Sequence, residues 1–403
     1  MKRRPTLTLA ALLVLATGVA GVGAARGDEV AGEGGRRIVA VGDIHGAFNG
    51  VRSILRETGL IDEADRWIGG DAILVQTGDF LDRGPGATQV AELLMDLQRQ
   101  APAAGGRVVV LLGNHEVMNI VGDLRDVTKY ILRNLVDANS ERRLKISCNA
   151  YSDFYRRLAR RRQQEVPSRG ELLDRCFAEQ QLGLVEYLRE IGPKGGIGGW
   201  LRTLPATVEI DGVVFVHGGI SPTFAGRSLE EINREVRREI ESFDAARADL
   251  LDRGWILPTT SLAQIVSIAR QLVARAEETG EEASLAPCFE HLADAANWLV
   301  LREDGPLWFR GYGRWSDEEG EAELPAILAP LGAERMVVAH TPQKSRSITS
   351  RFDSRVLLID TGMLASAYHG RPSALEIEDG RFTAVYVREE HVLHPPPAVA
   401  AAE

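Results

Sequence analysis

Six residues with oxygen or imidazole donors occur in one kind of setting in this sequence: Asp43, His45, Asp79, Asn114, His217 and His340. Each follows a short apolar run, and glycines stand beside most of them. Carboxylate, amide and imidazole donors without a thiolate suit divalent manganese, iron or zinc rather than a structural zinc site. Six donors exceed one tetrahedral shell. They match two metals about 3.5–4 Å apart that share a carboxylate, the arrangement of hydrolytic two-metal centres. Singly, each motif has a plain reading: Asp-Xaa-His as a turn, Gly-Asn-His-Glu as a helix start, His-Gly-Gly as a satisfied turn histidine. Their joint occurrence at strand ends, with four of the eight histidines (His45, His115, His217, His340), argues for one site.

The elements that must position these residues can be read next. Ile38 to Val41 runs into Gly42-Asp43-Ile44-His45-Gly46, and Ala72 to Val75 leads to Gly78-Asp79-Phe80-Leu81-Asp82-Arg83-Gly84. Val108 to Leu112 runs into Gly113-Asn114-His115-Glu116. Thr207 to Ile210 and Val213 to Val216 flank Asp211-Gly212, a strong hairpin signal. Met336 to Val338 leads to His340, Val356 to Ile359 leads to Asp360-Thr361-Gly362, and a last hairpin turns near Asp379-Gly380. Val51, Ile54 and Leu55 predict one helix face, and Val90, Leu93, Leu94 and Leu97 another. Strand–helix alternation followed by hairpins predicts an α/β fold of stacked mixed sheets flanked by helices. Ligands in such folds bind at the carboxyl ends of the strands.

The chain has 403 residues with 47 basic and 57 acidic side chains, a net charge of −10. That excludes a general nucleic-acid binder, which would be basic. Lys2, Arg3 and Arg4 precede an uncharged run from Leu7 to Ala25 ending in small residues. Residues 1–25 read as a secretory signal peptide, with an uncleaved membrane anchor as the alternative. The expected location is therefore exported, in the periplasm. Export permits a disulfide, and Cys148–Cys176 is the nearer pair of the three cysteines; three free thiols are the other reading.

In this order, Gly-Asp-Ile-His-Gly, Gly-Asp-Phe-Leu-Asp-Arg-Gly, Gly-Asn-His-Glu and His-Gly-Gly resemble the phosphoprotein phosphatase family of calcineurin-like metallophosphoesterases. His340 in Val-Val-Ala-His-Thr-Pro matches the last histidine ligand. The stretch 113–125 and Gly199-Trp200-Leu201-Arg202 are similar to the bacterial Shewanella-like protein phosphatases. The resemblance implies a four-layer α/β/β/α sandwich and two divalent metal ions, manganese first, then iron or zinc. It implies that Asp43 and His45 hold one metal, that Asp79 bridges, and that Asn114, His217 and His340 hold the other. Arg83, Arg310 and Asn114 would bind the phosphate. His115 would be the general acid, oriented by Asp82, and a hydroxide between the metals the nucleophile. Glu116 would support the loop. The implied substrate is a phosphorylated protein or small phosphoester. A dinucleoside polyphosphate hydrolase is the alternative enzyme, and a silent phospho-ligand binder the non-enzymatic one.

The tyrosine-bearing loop of the eukaryotic phosphatases is absent here, and Tyr368 reads as a plain loop residue in preference to a substitute for that tyrosine. The catalytic domain is expected over residues 36–390, with helical insertions at 126–198 and 228–300 and a disordered tail at 391–403. Val127, Tyr130, Ile131 and Leu135 form an apolar stripe in the first insertion. Arg156, Arg157, Arg160, Arg161 and Arg162 read as a solvated helix face in preference to an anion contact. Gly192 to Gly199 reads as a hinge or tight connector.

Overall fold

In the computed structural model, residues 35–279 and 287–394 are described. The leader expected at 1–25 lies outside them. Eleven strands follow in chain order: β1 Ile38–Val41, β2 Ile73–Gln76, β3 Arg107–Val110, β4 Thr207–Ile210, β5 Val213–Val216, β6 Arg335–Val338, β7 Thr349–Arg351, β8 Val356–Leu358, β9 Ser373–Glu378, β10 Arg381–Tyr386 and β11 Glu389–His394. They form two mixed sheets, ordered β11-β10-β9-β1-β2-β3 and β4-β5-β6-β8-β7.

The apolar runs are continuous because these strands are covered on both faces. Successive side chains of a strand point to opposite faces. Ile38, Ala40, Ile73 and Val75 therefore meet Phe215, Val337 and Leu357 between the sheets. Val39, Val41, Leu74, Val214 and Val338 pack in the larger core with the helices.

Register explains why distant motifs meet. Val41 pairs with Gln76 and Gln76 with Val110 in the parallel set, so three loops leave one edge together. In the second sheet Phe215 pairs with Val337, and Val337 with Leu357. His217 donates from Nδ1 to the Thr77 carbonyl at 2.9 Å, tying the two edges together.

The helices flank this sandwich. α1 Phe48–Glu57 buries Val51, Ile54 and Leu55, and α2 Ala87–Gln100 buries Val90, Leu93, Leu94 and Leu97, the faces predicted from spacing. α3 is Asn114–Ile120. Five helices follow before β4: α4 Lys129–Asn134, α5 Ser140–Arg161, α6 Arg169–Glu179, α7 Leu184–Ile191 and α8 Gly196–Leu201. Among the described residues three more follow β5: α9 Leu229–Asp252, α10 Leu262–Thr279 and α11 Pro287–Ala293. α12 Gly311–Arg314, α13 Asp317–Leu328 and α14 Ala365–Tyr368 complete the order. Among the described residues no helix is long and apolar enough to cross a membrane.

Several expectations are refined. Cys148 on α5 and Cys176 on α6 form a disulfide, which leaves Cys288 free. The glycine-rich stretch is a tight connector only from Gly192 to Gly195; Gly196 to Gly199 open α8, where a Cβ on Gly198 would lie 2.1 Å from the Ile191 carbonyl oxygen. Tyr130 departs from its stripe. It is 52% exposed, while Ile131 is buried. The expected disorder does not begin at residue 391, because His391–His394 belong to β11. Main-chain pairing with β10 and the contact of Phe382 with the His394 ring hold them. Residues 395–403 lie outside the described part.

Candidate metal centre and phosphate pocket

Backbone shape comes first at this site. His45, Asp79, Asp82, Arg83 and His340 all have positive φ, between 46° and 67°. Non-glycine residues adopt that region at a cost, and such strain gathers at functional sites. Two glycines let the loops touch. A Cβ on Gly78 (φ 92°) would fall 2.4 Å from the Gly113 nitrogen, and one on Gly113 would fall 2.3 Å from Asp79 Oδ1. No other residue type permits that crossing, which sets Asp79 beside Asn114.

Asp79 is the hub. Its Oδ1 accepts from the His115 backbone N–H at 2.9 Å. Its Oδ2 lies 3.3 Å from His217 Nε2 and 3.6 Å from His45 Nε2. On one side, His45 Nε2 is also 3.7 Å from Asp43 Oδ2. On the other, His217 Nε2 is 3.0 Å from Asn114 Oδ1 and 3.1 Å from His340 Nδ1. All six donors predicted from the sequence therefore meet here. Each of them is buried.

The donor set fits two metal ions. His45 Nδ1 donates to the Leu81 carbonyl at 3.1 Å, and His217 Nδ1 to Thr77. These bonds fix the tautomers so that both Nε2 lone pairs point at Asp79, as metal-binding histidines require. Burial lowers His45 to about 3, and burial with the neighbouring His217 lowers His340 to about 2. Both rings are thus neutral donors. Burial would raise Asp79, but its close interaction with His217 and the charge of His115 hold it well below the usual range. Among the described residues, the metal-capable groups are His45, Asp79, His115 and Asp79, His217, His340, with donor atoms within 4.8 Å. His115 is better placed as an acid than as a ligand, and Asp43 takes its place in the first group. His115 Nδ1 faces Asp82 Oδ2 at 2.7 Å. Burial opposes its protonation, yet the charge of Asp79 and the bond to Asp82 raise it to about 9.

Around this centre stand residues that motif reading had not assigned. Asp82 Oδ1 accepts from Asn119 Nδ2 at 2.9 Å, and Asn119 Oδ1 accepts from the Tyr187 hydroxyl at 2.6 Å. A buried chain therefore runs from α7 through α3 to His115. Nothing in a linear pattern signals Tyr187, because 68 residues separate it from Asn119. Asp360 is buried, and burial raises it to about 6. Burial, Asp360 and Asp79 push Asp43 well up. Its position after a β-strand repeats the pattern of the other carboxylates, so the sequence did carry a signal. Glu116 supports the loops as expected: it accepts from four backbone N–H groups, those of Asp79, Phe80, Leu81 and Gly113. Burial, with Asp79, moves its carboxyl to about 7.

Above the metal donors lies a cavity of about 310 Å³ lined by Asp79, Asn114, His115, His340, Arg83 and Arg310. Arg83 reaches His45 Nε2 at 2.7 Å, and Arg310 donates to the His340 carbonyl at 2.6 Å. Two guanidinium groups thus border one small chamber, a geometry for tetrahedral oxyanions. Tyr368 does not behave as a plain loop residue. Its ring stacks on His45 with centroids 5.8 Å apart and lies beneath Arg83 at 5.4 Å. The turn at α14 brings it inward, to the position of a substitute for the missing loop tyrosine. Asp126 was also unassigned; its carbonyl accepts from the Arg83 N–H at 3.0 Å. A larger cavity of about 640 Å³ lies among α5, α7 and α9, but it holds no such donor set, so size does not locate the chemistry.

The calcineurin-like phosphoesterase family profile matches residues 36–344. Shewanella-like protein phosphatase 2 of Arabidopsis thaliana is 29% identical over 355 residues, covering 85% of this chain and 75% of that protein. Shewanella-like protein phosphatase 1 of Plasmodium berghei is 26% identical, with 87% and 74% covered. Among solved structures, the cold-active protein-tyrosine phosphatase of a psychrophilic Shewanella species shares the fold at a TM-score of 0.56. It is 24% identical and aligns over 89% of this chain and 80% of that one.

Proposed function

The chain belongs to the calcineurin-like phosphoesterase family, a metal-dependent phosphoester hydrolase, and from that premise we propose that it is an exported protein phosphatase working with manganese. The observation that carries this reading is the pair of donor sets meeting at Asp79 Oδ2 below a cavity that Arg83, Arg310 and His115 enclose. Asp43, His45 and Asp79 would hold one ion, and Asp79, Asn114, His217 and His340 the other. Two divalent ions bound there supply a hydroxide near neutral pH and offset phosphoryl charge.

The chain's own residues do the rest. Arg83 and Arg310 bind and orient the phosphoryl oxygens, with the Asn114 amide beside them. His115, held cationic by Asp82, gives its proton to the leaving oxygen. That proton matters most for poor leaving groups such as serine alkoxides or tyrosine phenoxide. The buried His115–Asp82 pair therefore favours phosphoprotein monoesters over phosphoanhydrides. The relatives named as protein phosphatases support the same substrate class. The leader sequence and the Cys148–Cys176 disulfide support export to an oxidising compartment.

The test uses metal-stripped protein reloaded separately with manganese, iron or zinc. It is assayed on phosphoserine and phosphotyrosine peptides and on diadenosine tetraphosphate, with Asp79→Asn and His115→Asn alongside. Fastest turnover of peptides by the manganese form, lost in both variants, is the expected result. Full activity in both variants, or preferred cleavage of the dinucleotide, would overturn the reading. Cell fractionation and N-terminal sequencing of the recovered protein test the export arm.

A further inference from the structure

A second chamber, of about 430 Å³, opens between the C-terminal half of α5 and the start of α10. Arg157, Arg161 and Arg162 line it, together with Phe154, Tyr155 and Trp255. No carboxylate lines it, although the protein carries a net charge of −10. Some arginines of this region are matched in ion pairs, whereas among the described residues Arg142, Arg156 and Arg160 on α5 are not. Arg143 pairs with Asp137 and Glu186, Arg169 with Asp153, Arg175 with Glu179, and Arg253 with Asp249. The salt-bridge pattern of the described residues gives Arg157, Arg161 and Arg162 no such partner.

Their placement is ordered. Arg157 and Arg161 stand four residues apart on α5, so their side chains leave the same helix face one turn apart. Guanidinium groups at that spacing can each take a separate carboxylate in the bidentate manner. The aromatic walls add a planar surface. Tyr155 packs against both Tyr151 and Phe154, with ring centroids 4.6 and 5.3 Å apart, which holds it in place. Arg253 lies 5.3 Å over the Trp255 ring and covers one face of it. Gln264 and Gln271 supply neutral amides on the α10 side. The sequence suggested a solvated helix face for this arginine cluster. The structure shows three of its members around a chamber with aromatic walls.

We propose that this chamber is a docking site for an acidic peptide segment, two carboxylates meeting Arg157 and Arg161 and an aromatic or apolar side chain entering between Tyr155 and Trp255. Charge complementarity carries the choice, since an unmatched cationic pocket on an acidic protein attracts a short anionic segment without attracting extended polyanions to the whole surface. The site would give a protein phosphatase a means of holding acidic substrates away from the reacting phosphate. That use rests on the phosphatase reading, but the binding itself does not.

The experiment therefore measures binding without turnover. A fluorescent, unphosphorylated peptide containing Glu-Glu-Tyr-Glu-Glu is titrated by anisotropy into the full chain at low salt. The same titration is run with Arg157→Ala/Arg161→Ala/Arg162→Ala, with the corresponding triple lysine variant, and with Trp255→Leu. Melting temperature and hydrolysis of a small aryl phosphate are followed on every protein. Expected is binding that weakens at least about tenfold in the alanine variant, is partly restored by lysine, and falls as salt rises, while aryl phosphate turnover stays level. Absent binding, or binding equal in parent and alanine variant, overturns the proposal. So does tighter binding of ATP or of anionic phospholipid vesicles through the same arginines. Loss of aryl phosphate turnover by the parent would instead overturn the phosphatase reading and leave the docking result standing.

Discussion

Replacing Glu116 by glutamine tests how the loops of the centre are held. Oε2 accepts from the Asp79 and Gly113 N–H groups at 2.7 and 2.9 Å, and Oε1 from those of Phe80 and Leu81 at 3.1 and 3.0 Å. In the variant one of these oxygens becomes an amide NH2 that faces two N–H donors. Two hydrogen bonds are lost, and two buried donors stay unsatisfied. A bond to a charged acceptor contributes about 1.5–3 kcal/mol. Burial has already weakened the charge on this carboxyl, so the lower end applies, about 3–4 kcal/mol for the pair. At about 2.1 cal/mol/K per residue over about 370 residues, that lowers the melting temperature by about 4–5 °C. Because the released loops carry Asp79 and Asn114, manganese affinity or turnover should fall about 10–100-fold, as for other residues that orient ligands. Thermal denaturation by circular dichroism gives the first number, and turnover against manganese concentration gives the second. A variant melting within about 1 °C of the parent with unchanged manganese dependence would refute the reasoning.

Tyr187→Phe removes the hydroxyl that anchors Asn119 and, through it, Asp82. Turnover of phosphoserine peptides should drop several-fold more than that of p-nitrophenyl phosphate, whose leaving group needs no proton; equal losses would make Tyr187 a packing residue only. Removing the Cys148–Cys176 link by double alanine substitution frees a loop with a sequence separation of 28 residues, for an expected loss of about 3.5 kcal/mol visible in chemical denaturation. Glu239 accepts from the Leu299 and Val300 N–H groups, and burial raises it to about 7. Between about pH 4.5 and 7 the folded state then holds the extra proton, so this contribution is fully present in acid and fades as pH rises through 7. The parent should lose up to about 3 kcal/mol from this source between pH 5 and 8, and Glu239→Gln should flatten that slope in melts across the range.

Much of the centre was legible because its chemistry sits in short, strained turns. Asp43, His45, Asp79, Asp82 and Arg83 lie within two such turns, where local backbone needs demand glycine on either side. The strands could be read because burial on both faces makes them plainly apolar. The hairpins could be read because Asp211-Gly212 and Asp379-Gly380 take up the left-handed turn that those residue pairs favour.

What stayed illegible depends on contacts between segments far apart in the chain. Tyr187 lies on a helix whose pattern shows only that it is amphipathic; its bond to Asn119 exists because the fold brings α7 within reach of α3. Tyr368 enters the pocket through one helical turn, and β11 is a strand only because β10 offers it an open edge. The arginines of α5 read as a solvated face because sequence spacing places them on a helix but cannot show what stands opposite. The sequence by itself determined the donor types, their order and the strands that deliver them, since these follow from local conformation and side-chain chemistry. Only the tertiary structure decided that Asn119 and Tyr187 extend the bonds behind His115, that Asp360 stands beside Asp43, and which cations among the described residues lack an ion-pair partner. Those are distances between segments, set by register and packing.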